Sequence, residues 1–403
     1  MTPQERHTTL SLTSIYALRM LGLFLVLPVF ALEARKYPGG DDAALVGLGL
    51  GIYGLTQGLL QIPFGMASDR LGRKRVIVFG LLLFALGSLT AAMADSLLWL
   101  IIGRSLQGAG AISAATSALL ADQTRDAVRT KAMAVIGASI ALMFALSLVI
   151  APPLAAWLGL RGLFAITGVL ALAGVGVMIW GVPPEGALRK APAQARFTDV
   201  LKDRQLLRLD LGVFVLNAVQ LAMWVAVPGL LVQAGLDKSH HWWVYLPAVF
   251  ASFFVMWGTL FRLEKRGYLR AVFLGAIGVT GAVQVGFLWA TGAPSIAALA
   301  LLLFAFFCGF NILEACLPSM VSRLVPAHSR GAALGVYNML QSFGLFAGGA
   351  LGGTIVKAAG MPALFVSCGG LVLLWLAASW GLRVPQAPGH AAVRPVAQAA
   401  DAT

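Results

Sequence analysis

The chain has 403 residues, 59% of them hydrophobic and 11% charged, with a formal net charge of +13 and a mean hydropathy of +0.86. A soluble domain carries about 25% charged residues, so this chain lacks the polar surface to stay in water. Apolar runs long enough to cross a bilayer, about 20 residues each, recur along it, which predicts an all-α membrane protein.

In chain order twelve spans are predicted, at about 10–32, 44–67, 76–94, 97–120, 131–156, 161–181, 209–232, 243–262, 270–290, 295–322, 331–356 and 361–382. The first is a retained span rather than a cleaved signal peptide: Arg19 interrupts it, and no small-residue cleavage site follows near Phe30. The longest polar stretch between spans, 183–206, holds Pro183, Pro184 and several bases. Phe197, Val200, Leu201 and Leu206–Leu207 are spaced for a short amphipathic helix there. Residues 383–403, rich in Ala and Pro, read as a disordered tail. The predicted divisions are therefore a six-helix half at 1–182, a cytoplasmic linker at 183–208, a second half at 209–382 and the tail.

When these spans are threaded, 22 of the 29 Lys and Arg fall on one face and 5 on the other, with Arg19 and Arg104 inside spans. The positive-inside rule puts the richer face, and both termini, in the cytoplasm. Loops facing anionic lipid then explain the net charge, and no nucleic-acid partner is expected. RTKAMAV at 129–135 opens span 5 and RGAALGV at 330–336 opens span 11, an offset of 201 residues. That is the mark of an internal duplication, typical of secondary transporters, whose substrate sites lie between the halves. Cys308, Cys316 and Cys368 lie inside apolar runs and read as packing residues, not a disulfide framework. The five histidines fall in loops or tails with no metal-ligand spacing, so neither metal nor cofactor is expected.

Between spans 2 and 3 the pattern G-x-x-x-D-R-x-G-R-K is spelled by Gly65, Asp69, Arg70, Gly72, Arg73 and Lys74. Any positive-inside loop explains the bases, but not Asp69 or the two glycines. Gly72 suits the positive φ of a tight reversal. Asp122 closes span 4 at the negative end of that helix dipole, where an acid is unfavourable unless paired. Arg70 and Arg73 share its face and are its candidate partners, while Asp69 is placed to face the positive start of span 11 near Gly331–Leu334. After span 8 the stretch GTLFRLEKRG from Gly258 puts Arg262 where the first copy has its acid, a degenerate repeat. Span 4 carries LIIGRSLQGAGA at 100–111, with Arg104, Gln107 and Gly108. An arginine about 10 Å inside a span must face protein or water. It either bonds backbone carbonyls or acts on protons and substrate.

These motifs resemble those of the major facilitator superfamily. The loop signature departs only at Ala67, where the family usually has Leu, and the span-4 Arg followed by Gln-Gly is similar too. The resemblance covers nearly the whole chain, through YALRMLG at 16–22, GIYGLTQGLLQIPFG at 51–65, GRSLQGAGAI at 103–112 and NILEACLPS at 311–319. It is to a group of drug exporters, some with a ferredoxin-like domain after span 12; none is expected in the short tail here. The resemblance implies the major facilitator fold of two pseudo-symmetric six-helix halves, with spans 1, 4, 7 and 10 lining a cavity. It also implies a cytoplasmic latch made by Gly65, Asp69, Arg70, Gly72, Arg73 and Asp122. Drug–proton antiporters of the family carry a glycine-rich span-5 motif ending in Gly-Pro. Here those positions read Ala138, Ser147 and Ala151, before Pro152: small residues that still permit close helix approach. The likeness favours export without requiring it.

Of the sixteen acids only Glu314 lies well inside a predicted span; the rest, Asp210 included, fall in loops, tails or span ends. A buried carboxyl is the kind of group a proton carrier needs, though Glu314 is also explicable as a structural bond to a neighbouring helix. Arg19 and Glu314 lie about ten and nine residues from the inner ends of their spans, so their depths agree within a few Å. Arg19 is thus expected to act on Glu314, and with Arg104 the two form the expected proton-coupling set. Tyr16, Tyr53, Gln57, Gln61, Gln107, Asn217, Gln220, Trp224, Asn311, Tyr337, Asn338 and Gln341 are cavity candidates, although any one of them is more readily explained as a helix–helix hydrogen bond. With their apolar surroundings they describe a cavity for lipophilic solutes.

No nucleophile–base pair, metal cluster or phosphate loop points to an enzyme. The sequence predicts a monomeric, proton-coupled secondary transporter of the bacterial inner membrane, exporting small lipophilic compounds by alternating access. Its partners are the small-molecule substrate, protons and the lipid bilayer, and the proton gradient takes the place of a cofactor. An importer of a small organic nutrient is the alternative. A sensor that transports nothing would call for a sizeable soluble domain.

Overall fold

A computed structural model of the chain describes residues 1–185, 203–266, 268–325 and 330–382. Most of the predicted linker with its amphipathic helix, and the tail expected to be disordered, lie outside the described residues. The described elements are helical: α1 Pro3–Glu33, α2 Ala43–Leu71, α3 Arg73–Ala92, α4 Leu97–Ala109 and α5 Ser113–Asp122, then α6 Asp126–Gly176, α7 Arg204–Gln233, α8 Trp242–Lys265, α9 Leu269–Ala290, α10 Ile296–Leu324 and α11 Arg330–Ser379. Among the described residues ten stretches are long and apolar enough to cross a membrane, α4 and α5 together forming one of them.

Two helices are far too long for one crossing. At 51 and 50 residues, α6 and α11 would each run about 75 Å if straight, against a hydrocarbon core of about 30 Å. Each is broken by a glycine with left-handed φ, Gly159 at 65° and Gly360 at 81°, a conformation that side chains with a Cβ avoid. The breaks lie 201 residues apart, the offset of the RTKAMAV and RGAALGV segments that open these same helices. Were each broken helix to cross twice, the ten stretches among the described residues would give the twelve spans that the sequence predicts.

Span 4 departs from the expected continuous helix. It stops at Ala109 and resumes at Ser113. Gly110 lies against α3, where an added Cβ would meet the Gly80 carbonyl at 2.3 Å, so close packing rather than helix continuation sets its backbone.

The halves meet along α2 and α11. A Cβ on Gly47 would lie 2.2 Å from the Gly349 oxygen, one on Gly51 2.7 Å from that of Phe346, and one on Gly54 2.4 Å from that of Ser342. Only backbone fits this seam, which is how small residues bring membrane helices together. Two ion pairs join the halves on the face away from the amino terminus: Glu33 with Lys238 and Asp42 with Lys357, each at 2.6 Å. Nearer the amino-terminal face, Gly65 of α2 packs against Ala114 of its own half, and Gly331 of α11 has open space around it. The ion pairs described between the halves thus clasp the face away from the amino terminus.

Candidate functional site

The loop signature forms a charge cluster on the amino-terminal face. Gly72 ends α2 with φ 96° and starts α3, as its place in the motif predicts. Arg73 pairs with Asp69 at 2.6 Å and with Asp122 at 2.8 Å, and donates to Ser68 Oγ at 2.9 Å. Arg73 is thus the Asp122 partner, and Arg70 is exposed. Glu185, which the sequence reading missed, accepts from the Arg73 backbone N–H at 3.0 Å and from that of Lys74, filling the anion site at the start of α3. Lys74 Nζ donates to the Val182 carbonyl at 2.7 Å. Nearby, Glu5 pairs with Arg125 at 2.8 Å. These contacts lie within the first half and the start of the linker that follows it. The side chain of Arg330 at the start of α11, and those of Arg262 and Glu264 in the degenerate second copy, lie outside the described residues.

Both intramembrane arginines are 1% exposed and held by the first half. Arg19 donates to Tyr53 Oη at 2.8 Å, to the Gly110 carbonyl at 3.1 Å and to Ser113 Oγ at 3.4 Å. The break in span 4 is what opens Gly110 to this contact. Arg104 donates to the Gly49 and Leu50 carbonyls at 3.3 and 3.2 Å and to Gln107 Oε1 at 3.2 Å. Gln107 passes the chain on to Ser88 at 2.8 Å. Tyr53 sits between the two arginines, its ring under Arg104, and Tyr16 donates to the Ser113 carbonyl at 2.9 Å.

The expected pairing of Arg19 with Glu314 is not formed. Equal depth did not imply equal direction: Arg19 turns into its own half, and Glu314 Oε1 accepts from Gln341 Nε2 of α11 at 2.8 Å. Glu314 Oε2 is buried without a partner, as are Tyr337 Oη and Asp210 Oδ2. Asp210 is a correction to the sequence reading. It is 3% exposed and sits six residues into α7, because that helix starts at Arg204, earlier than hydropathy placed it.

Aromatic rings converge where the halves meet. Phe144 of α6 touches Phe24 of α1, Trp224 of α7 and Phe307 of α10, with centroids 5.2, 6.4 and 6.2 Å away. Gln220, Trp224, Tyr245, Leu303, Phe306 and Phe307 line a small cavity beside this cluster. Phe307, Asn311 and Glu314 follow one face of α10 at helical spacing. The cluster was not read from the sequence, because its members come from four distant segments.

Other predicted cavity residues are used locally. Asn217 donates to Val213 on its own helix at 3.0 Å, and Asn311 to Ser252 at 2.8 Å. Gln57 and Gln61 each bury an amide oxygen without a partner, and Asn338 is half-buried. Of the span-5 residues, Ser147, Ala151 and Pro152 are buried as close packing requires. Ala138 is exposed instead, lying in the amino-terminal part of α6.

The fold and this site define a membrane transporter rather than an enzyme. The family model for the Major Facilitator Superfamily matches residues 12–349 and 263–401, and the chain belongs to that family. Among relatives, the chain is 39% identical to "Inner membrane transport protein YajR" of Escherichia coli K12 over 96% of its length and 85% of the relative's. It is 27% identical to "Multidrug resistance protein MdtH" of Aeromonas salmonicida, over 85% and 87% of the two chains. Among solved structures, a bacterial homologue of the human lysosomal transporter Spinster, captured inward-facing and occupied, superposes with a TM-score of 0.73. That match is at 15% identity and covers 94% of this chain and 96% of the other.

Proposed function

We propose that the protein is a proton-coupled exporter of small lipophilic compounds in a bacterial inner membrane, with its amino-terminal face in the cytoplasm. One observation carries the reading. Glu314, with a buried unpartnered oxygen, and the Phe307 ring of the aromatic cluster share one face of α10, about 10 Å apart along the axis. An apolar solute bound at the rings would sit within two helical turns of a carboxyl able to exchange its proton. The clasp on the face away from the amino terminus supports alternating access, in which that face and the cytoplasmic one open in turn. The name of the MdtH relative supports a drug-like solute.

The test is movement of tetraphenylphosphonium in proteoliposomes under an imposed proton gradient. The expected result is solute flux opposite to protons, lost in Glu314→Gln. Flux in the same direction as protons would establish the importer alternative, and an unimpaired Glu314→Gln would remove this residue as the carrier.

A further inference from the structure

The second half buries another ionisable group, and helix packing places it beside Glu314. A Cβ on Gly344 would meet the Phe214 carbonyl at 2.4 Å, one on Gly348 that of Ala218 at 2.0 Å, and one on Gly352 would touch Ala222 at 3.4 Å. These contacts step by four along both helices and so fix the register of α11 against α7. One turn further toward the amino-terminal face, the same register sets Asp210 level with Leu340. That is one turn from Tyr337 and next to Gln341, which holds Glu314 at 2.8 Å.

Asp210 and Tyr337 are each 3% exposed. Asp210 Oδ2, Tyr337 Oη and Glu314 Oε2 are all buried without partners. Buried polar groups are ordinarily satisfied, and here three orphans come from three helices at one level. The charged and titratable groups on the packed elements are few. From α10 come Glu314 and Arg323 with Cys308 and Cys316, and from α11 Tyr337 and Cys368; Lys357 lies at the other face, paired with Asp42, and the side chain of Arg330 lies outside the described residues. On α7 itself Arg208 is turned to the Gly381 carbonyl, and from α1 Arg19 is held by Tyr53 and Gly110 of its own half.

We propose that Asp210 is a second proton-carrying residue, which with Tyr337 forms a relay from the amino-terminal face to Glu314. Asp210 lies about 9 Å along α7 from Arg204 and takes its proton from water on that face. The Tyr337 hydroxyl donates its proton to the Glu314 carboxylate, directly or through one bridging water, and recovers one from the Asp210 carboxyl. Tyr337 ends unchanged, Glu314 gains a proton and Asp210 loses one. Run backward, the relay delivers a proton from Glu314 to the same face. This rests on the proton-coupled reading above.

Infrared difference spectroscopy of the full chain in phosphatidylcholine vesicles, stepped in pH with no solute, tests the carboxyls apart from transport. Wild type is expected to show two protonated-carboxyl bands. Asp210→Asn should remove one and move the titration midpoint of the other, Glu314→Gln should remove the other, and Asp210→Glu should restore a band at a new position. Spectra of Asp210→Asn that superpose on wild type would overturn the proposal. Transport of tetraphenylphosphonium tests the relay. Tyr337→Phe should slow gradient-driven movement by about tenfold or more while leaving solute exchange at equal pH within about twofold. Equal losses in both assays would make Tyr337 structural and overturn the relay. If wild type moves no solute against protons yet the two bands remain coupled, the transport reading fails and Asp210 keeps its assignment as a proton site.

Discussion

Arg104 and Arg70 make opposite predictions from the same side chain. Arg104 is buried and bonds two backbone carbonyls, and hydrogen bonds from a charged donor contribute about 1.5–3 kcal/mol each. Arg104→Ala removes these bonds and leaves a cavity in a buried interior, so detergent-solubilised protein should melt several degrees lower. Arg70 is exposed, and Arg70→Ala should stay within about 0.5 kcal/mol of wild type in the same scan. Position along a helix was legible from the sequence, which is why Arg19, Arg104 and Glu314 were all found inside spans. Direction around the helix was not. Asp210 escaped because Arg208 two residues earlier makes a hydropathy window end there, although the helix, capped by Asp203 on the Gln205 N–H at 2.7 Å, starts sooner.

Among elements, the α2–α11 seam is set by glycines whose substitution has a geometric outcome. Gly47→Val places a side chain where only 2.2 Å separates its Cβ from the Gly349 oxygen. Gly370→Val adds the same side chain where nothing lies within 4 Å. Transport rates in vesicles should fall for the first and stay within about twofold for the second, with expression of both checked by blotting. The charge loop behaves likewise: Arg73 joins Asp69, Asp122 and Ser68, so Arg73→Ala should impair transport more than Arg70→Ala. The loop was legible because its chemistry is local, down to the positive φ of Gly72. Glu185, more than a hundred residues away, was not, since nothing in its own neighbourhood marks it as the cap of α3. The aromatic cluster was hidden for the same reason.

Across the whole molecule, the clasped face is where one conformation is held against the other. Replacing Lys238 by Met removes the cross-half partner of Glu33, and Asp42→Asn removes that of Lys357. Both should shift the balance toward opening on that face. Ala155, buried beneath the Glu33–Lys238 pair, reports it: with Cys308, Cys316 and Cys368 replaced by Ala, maleimide labelling of Ala155→Cys should rise in either variant. Unchanged labelling would mean the glycine seam alone holds the face shut. The hydrogen bond from Lys357 keeps the Asp42 carboxyl below its ordinary range. A depressed carboxyl contributes its stabilisation at neutral pH and loses it as pH falls through the depressed value, so this clasp should persist through mild acid.

The Asp42–Lys357 clasp has a further consequence. Both side chains are partly exposed, at 28% and 56%, so mobile ions reach them, and attraction between such charges is screened over about 8 Å at physiological ionic strength. The glycine seam, built from backbone contacts, is indifferent to dissolved salt. Raising sodium chloride on that side alone should therefore weaken one half of the closure and spare the other, making the resting conformation of the transporter respond to the salinity of its surroundings.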